Sequence, residues 1–315
     1  MTTFSFNLSD FILVWWGILY EAMPFVVMGT LLSGLVERCV SRETVVRFFP
    51  KNRILGIGAS ALMGLVFPMC ECGVVPVVRR LMLKGVPASC GVAYMLASPI
   101  INPLVILSTI IAFRGKDSWT DSWTVTGLRV GMGYLVAVVL GIVVWRILGE
   151  RNVLLHGQQR GHADDHDHGQ YPKGNFLIDI LGHAAGDFMV IGATLVVGAA
   201  LAALINSGFS RAAMEPFAQN PWAAVSGMSA LAVGLNLCSE ADAFIARSFL
   251  AFPLAAKMAF LVLGPMVDLK LIAIYTTVFR PKAILAITGL TTLLIFVLCV
   301  TGYVWIPMIT AAAIR

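Results

Sequence analysis

Pro68-Met69-Cys70-Glu71-Cys72-Gly73 lies between two apolar stretches of a chain that is itself largely apolar. Two thiols and a carboxylate are costly to bury in lipid, on the order of a few kcal/mol for a charge left unpaired. Residues two apart point to different sides of a regular helix. In an extended or unwound segment they share a face. Pro68 and Gly73 bracket the pair and favour such a break. The segment therefore reads as a helix interrupted inside the membrane at a soft-metal or metalloid site. The plainer reading is a pair of small buried thiols, since free cysteine packs well in cores.

Working outward, the whole chain fits that membrane setting. Its 315 residues are 58% hydrophobic and 12% charged, with a net charge of +5. Spans of ~20 apolar residues each then give an all-α polytopic membrane protein. No Lys or Arg precedes the first apolar run, and no cleavage site follows it, so this run is expected to stay as a first helix. The basic balance reflects membrane topology rather than an acidic or nucleic-acid partner. The six scattered cysteines form no secreted disulfide framework.

Apolar runs and breakers predict helices over 11–36, 54–83 with a break at 70–72, 86–113 interrupted by Pro99 and Pro103, and 125–148. After a polar linker come 176–205, 221–238 with a break at Cys238-Ser239-Glu240, 242–252, 253–279 with Pro265, and 283–307. The chain divides into a first membrane repeat (1–148), a His/Asp-rich linker (149–175) and a second repeat (176–315). Phe25 to Gly29 resembles Phe188 to Gly192. Cys70-Glu71-Cys72 falls against Cys238-Ser239-Glu240, Arg79 against Arg247, and Pro87 against Pro253. Ser98-Pro99-Ile100-Ile101-Asn102 falls against Gly264-Pro265-Met266-Val267-Asp268.

Lys and Arg set the orientation. Arg38, Arg42, Arg47, Lys51 and Arg53 follow the first helix and none precedes it, which puts the N-terminus in the periplasm. Arg79, Arg80 and Lys84 also belong inside if 54–83 is a re-entrant hairpin. The linker is then cytoplasmic and the two repeats are inverted, with their broken helices meeting near the bilayer midplane. Arg114, Lys116 and Arg129 count against this scheme, because it leaves them at the outer interface.

The candidate site joins the two breaks. Cys70, Cys72 and Cys238 offer sulfur and Glu240 a carboxylate, a set suited to Cu(I), Zn(II), Cd(II) or trivalent arsenic and antimony. Glu71 and Asp242 are candidates for proton transfer or support of the ligands. Asn102 and Asp268 follow matched prolines and could face a substrate or bond between helices. Cys39, Cys90 and Cys299 read as packing residues. Glu21, inside the first helix, reads as facing a cavity or a partner, and His183 and Asp187 share a helical face. In the linker, His156, His162, His166 and His168 crowd with aspartates into an auxiliary metal-binding tract or a merely solvated one. No Walker A motif is present, so transport is expected to be secondary or channel-like unless another subunit supplies energy.

Phe67-Pro68-Met69-Cys70-Glu71-Cys72-Gly73-Val74-Val75-Pro76 and Ala97-Ser98-Pro99-Ile100-Ile101-Asn102-Pro103 resemble the bacterial predicted-permease family that includes the organoarsenical permease ArsP. The resemblance covers nearly the whole chain and implies an inner-membrane efflux permease. The Cys-Glu-Cys form with a His-rich loop is similar to members assigned to copper and zinc efflux. A single cysteine in the second break departs from a doubled site, so Cys238 and Glu240 rest on the internal repeat alone. The expectation is a permease exporting a thiophilic metal ion, Cu or Zn, by proton antiport. It would carry no permanent cofactor and could form a homo-oligomer. The rivals are export of arsenite, antimonite or an organoarsenical, a membrane thiol oxidoreductase, and a metal sensor or delivery subunit. A Cys-x-Cys disulfide would close a small strained ring, which weighs against the oxidoreductase.

Overall fold

Long apolar runs become long helices, two of which pass through an internal proline, Pro24 and Pro307, and the remaining segments form short helices in series. The computed structural model describes residues 8–39, 50, 52–114, 119–149, 153–154, 176–206 and 220–313. The long helices are α1 (Leu8–Cys39), α6 (Trp119–Val143, continued by a π turn over Val144–Leu148), α7 (Phe176–Asn206) and α12 (Pro281–Ala313). These four are long and apolar enough to cross a bilayer. The chain is thus an all-α, multi-pass membrane protein.

The short helices flank breaks. α2 (Arg53–Leu62) and a 3-10 turn (Met63–Leu65) precede α3 (Glu71–Leu83), then α4 (Ala88–Ala97) precedes α5 (Pro103–Ala112). In the second half, α8 (Pro221–Leu235) precedes α9 (Asp242–Ser248), and α10 (Leu254–Leu263) precedes α11 (Leu269–Tyr275). The same elements therefore run twice in the same order, with similar caps. Asn52 starts α2 by accepting from Ile54 N–H at 3.1 Å, and Asn220 starts α8 by accepting from Trp222 N–H at 3.0 Å. Pro87 and Pro253 precede α4 and α10, while Asn102 and Asp268 cap α5 and α11. Asn52, Asn102, Asn220 and Asp268 thus close four of these helix starts with their own side chains.

The long helices pair antiparallel. The Trp15 indole donates to the Val196 carbonyl at 3.3 Å, whereas Ser33, further along α1, donates to Asp187 at 2.7 Å. A Cβ at Gly34 would lie 2.6 Å from the Ile180 carbonyl oxygen, so α1 and α7 pack there backbone to backbone. The start of α6 meets the end of α12 around a groove lined by Gly127, Leu128, Leu298 and Trp305. At the other end Arg280, before α12, donates to the carbonyls of Val153 and Leu154 beyond α6.

The short helices form the core. α4 is buried at every residue and α10 from Ala255 to Leu263. The halves interlock: α9 packs against α5, and α11 against α3. Breaks are brought together, since a Cβ at Gly64 would lie 2.8 Å from Ser98 Cα.

Candidate functional site

The first break lies earlier than the sequence suggested. Cys70 is extended and caps α3, whereas Glu71 and Cys72 already belong to its first turn. The irregular backbone covers 66–70. Pro68 sits in it and Gly73 does not. Gly73 is inside the helix because α1 crosses there: a Cβ on it would stand 2.8 Å from the Phe25 carbonyl oxygen. The pair is thus half extended and half helical. Glu71 gains from its place at the positive end of the α3 dipole.

The second break is built on Asn236, which ends α8 in the left-handed region at φ 50°. Its amide nitrogen donates to the Val233 and Gly234 carbonyls at 2.9 and 3.1 Å, offsetting the strain of that conformation. Its side-chain oxygen accepts from the Lys270 N–H at 3.3 Å. This joins the break after α8 to the start of α11. Ser239, three residues before α9 begins at Asp242, donates to Glu71 at 3.4 Å and so reaches the residue that follows the first break.

Lys270 stands where these segments meet. Its Nζ lies 3.0 Å from Glu71 Oε1 and 3.4 Å from Asp268 Oδ2, and it donates to the Asn236 carbonyl at 3.3 Å. Both carboxylates and the ammonium are at most 1% exposed. Glu71 Oε1 and Asp268 Oδ2 face the ammonium as ion pairs and receive no directed hydrogen bond. Asp268 spends its other oxygen on the Leu271 N–H, at 2.6 Å. Asn102 is also a cap, accepting from Leu104 N–H at 3.0 Å. Pro99 and Pro265 lie in the turns before these caps.

The three thiols share this neighbourhood. Cys70, Cys72 and Cys238 are buried and free. Cys72 lies against Cys70 and feels the charges of Lys270 and Glu71. Cys238 feels Glu71, Lys270 and Glu21. Both carboxylate oxygens of Glu240 are buried without a hydrogen-bond partner. Among the described residues, no three His, Cys, Asp or Glu side chains are gathered closely enough to hold a metal ion. Cys70, Cys72, Cys238 and Glu240 thus occupy one region without forming a closed ligand set. His156, His162, His166 and His168 lie outside the described residues. Glu21 is exposed, halfway along α1.

Asp242 is engaged elsewhere. Arg129 of α6 pairs with it at 2.6 Å, donates to the Ser239 carbonyl at 3.3 Å and donates to Thr109 of α5 at 2.7 Å. Arg129 is 1% exposed and so is buried within the protein. Asp187 likewise does not pair along its helix with His183, which is exposed. It accepts from Arg80 at 3.0 and 3.1 Å and from Ser33, and Arg79 lies 3.6 Å away. Arg80 and Lys84 also face Glu37 at the end of α1. Cys90 and Cys299 are buried, as packing residues should be, but Cys39 is exposed.

Sequence reasoning missed Lys270, Asn236 and the partner of Arg129. Lys270 had a signal: a lysine inside an apolar run is a functional candidate by default. Asn236 had a weaker one, an Asn between an apolar helix and a Cys-Ser-Glu break.

Comparison with known proteins agrees with this architecture. The ArsP model, described as a predicted permease, matches residues 7–305. The chain is 40% identical to UPF0718 protein YcgR of Bacillus subtilis over 84% of this chain and 87% of that protein. It is 36% identical, over 90% of this chain and 91% of the relative, to a Streptococcus mutans protein provisionally named as a subunit of a two-component membrane permease complex. No solved structure matches it. A match over nearly the full length, on a multi-pass helical fold, means that the chain belongs to the ArsP family of predicted permeases.

Proposed function

We propose that this permease moves a thiophilic species across the bacterial plasma membrane through the meeting point of its breaks. The carrying observation is that Cys70, Cys72 and Cys238 are all buried, with Cys72 against Cys70 and both Cys72 and Cys238 under the charges of Glu71 and Lys270, one from each half. The substrate class that fits best is a trivalent arsenical or antimonial, including arsenite. Lys270 already balances Glu71 and Asp268, so the donors left open are chiefly sulfur. Trivalent arsenic binds thiols well and needs no carboxylate. A soft metal ion, Cu or Zn, is the second reading. Glu240 favours it, as a carboxylate without a partner beside Cys238.

We further read the two halves, 1–148 and 176–315, as inverted repeats, with 54–83 re-entrant. Three observations support this. α1 and α7 occupy matching places yet run antiparallel, as do α6 and α12. The C-terminal end of α3 returns to Glu37 at the end of α1, where the 40–52 connection began. Residues of the breaks touch one another, Ser239 and Lys270 reaching Glu71, as in transporter sites built on discontinuous helices. Proton antiport through Glu240 is the coupling proposed. By analogy with the Streptococcus relative's name, a second subunit would complete the permease.

The test is a substrate panel in proteoliposomes: phenylarsine oxide, arsenite, Cu(I) and Zn(II), with and without a pH gradient. Saturable arsenical flux or binding that Cys70→Ser/Cys72→Ser abolishes is expected. Metal flux alone would promote the second reading. Thiol-independent behaviour toward every member of the panel would sink both.

A further inference from the structure

The central ammonium is held by more contacts than a simple charge balance requires. Lys270 is the second residue of α11, and the helix is capped by its own counter-ion Asp268. Its backbone N–H and its Nζ both bind Asn236, from another element. Behind it, a Cβ on Gly198 of α7 would lie 2.8 Å from Lys270 Cα, so the backbone cannot retreat. The side chain is thereby aimed at Glu71 of the opposite half.

We propose that Lys270 sets the specificity of the site by standing in the position a hard cation would take. This deepens the thiophile reading and rests on it. Two buried carboxylates from opposite halves, each with an oxygen facing one point, are the start of an oxygen site for a divalent ion. A hard cation prefers such oxygens, and a soft acceptor prefers sulfur. With the ammonium fixed 3.0 Å from Glu71 and 3.4 Å from Asp268, the oxygen site is filled from within. An entering divalent ion would meet a like charge that cannot swing away, because Asn236 and α7 pin it. The sulfurs of Cys70, Cys72 and Cys238 carry no such tenant. Discrimination against abundant hard ions is then built in as repulsion, beside the attraction of thiols for soft ones.

The experiment is Mn(II) binding, followed by its paramagnetic signal, to the full chain purified in detergent. Wild type and Lys270→Arg, which keep the cation, should bind Mn(II) only weakly. Lys270→Met should bind one Mn(II) at least tenfold more tightly. The gain should vanish in Lys270→Met/Glu71→Gln/Asp268→Asn. If Lys270→Met is not monodisperse, Lys270→Met/Asp268→Asn is read instead, with a smaller gain through Glu71. No gain in the variant read, or tight binding already in wild type, overturns the proposal. Phenylarsine oxide binding to wild type and to Cys70→Ser/Cys72→Ser, measured in parallel, tests the thiophile reading separately. Its failure would leave the Mn(II) result standing as a statement about Lys270 alone.

Discussion

At the scale of single residues, the centre of this permease is decided by which charges find partners. Cys70→Ser and Cys72→Ser keep size and remove the soft donor. Each is expected to abolish arsenical or metal resistance in cells at near-normal protein level, whereas Cys299→Ser and the exposed Cys39→Ser should be tolerated. Full resistance in the Cys70→Ser/Cys72→Ser strain would remove the thiols from the pathway. Arg129 offers a stability test. Arg129→Met strands Asp242 as a buried, uncompensated carboxylate, a loss of about 3–5 kcal/mol. Adding Asp242→Leu removes the stranded charge and should recover most of it. Thermal unfolding in detergent reads both, and equal losses for the single and double variants would show that the ion pair is not what holds α6 to the second break. Glu240→Gln keeps shape and removes charge. It should lose pH-driven flux while retaining arsenical binding through sulfur. Flux unchanged from wild type would discard Glu240 as the proton carrier.

At the scale of elements, caps and close approaches fix where helices stop and cross. Asp268 serves both α11 and Lys270, so Asp268→Asn and Asp268→Ala separate the roles. Asn still caps, whereas Ala loses about 1 kcal/mol more from the helix start. The unfolding midpoint should therefore order wild type, Asn, Ala. If Asn and Ala unfold alike, the cap contributes nothing measurable. The break positions were legible in sequence to within a few residues because proline and asparagine act locally: Pro87, Pro253, Asn102 and Asp268 mark element starts in both sequence and structure. Gly73 was misread as part of the first break. Its reason lies on another helix, the Phe25 carbonyl of α1, and no local rule carries that contact. Phe188 to Gly192 matches Phe25 to Gly29 in sequence, yet the close approach of α7 to α11 falls at Gly198. The motif was conserved in letters and shifted in use.

At the scale of the whole molecule, the orientation has one decisive measurement. A cysteine introduced at Gln158 should be labelled only from the cytoplasmic side, and periplasmic labelling would overturn the re-entrant path of 54–83. By itself, the sequence determined the class, an all-α multi-pass membrane protein. Composition forces apolar segments into lipid, and a helix there must satisfy its own backbone. It also marked Cys70, Cys72, Cys238 and Glu240 as residues too costly to bury without purpose. Only the tertiary structure decided how charge is distributed among them. Lys270 lies 199 positions beyond Glu71 in the chain yet 3.0 Å from it in space, and Arg129 reaches Asp242 across 113 positions. An ion pair in a low-dielectric core is set by which oppositely charged groups the packing brings within a few ångströms. Sequence spacing carries no trace of that distance, so Lys270 stood in the chain as a lysine in an apolar run, whereas its pairing with Glu71 was decided only by the tertiary structure.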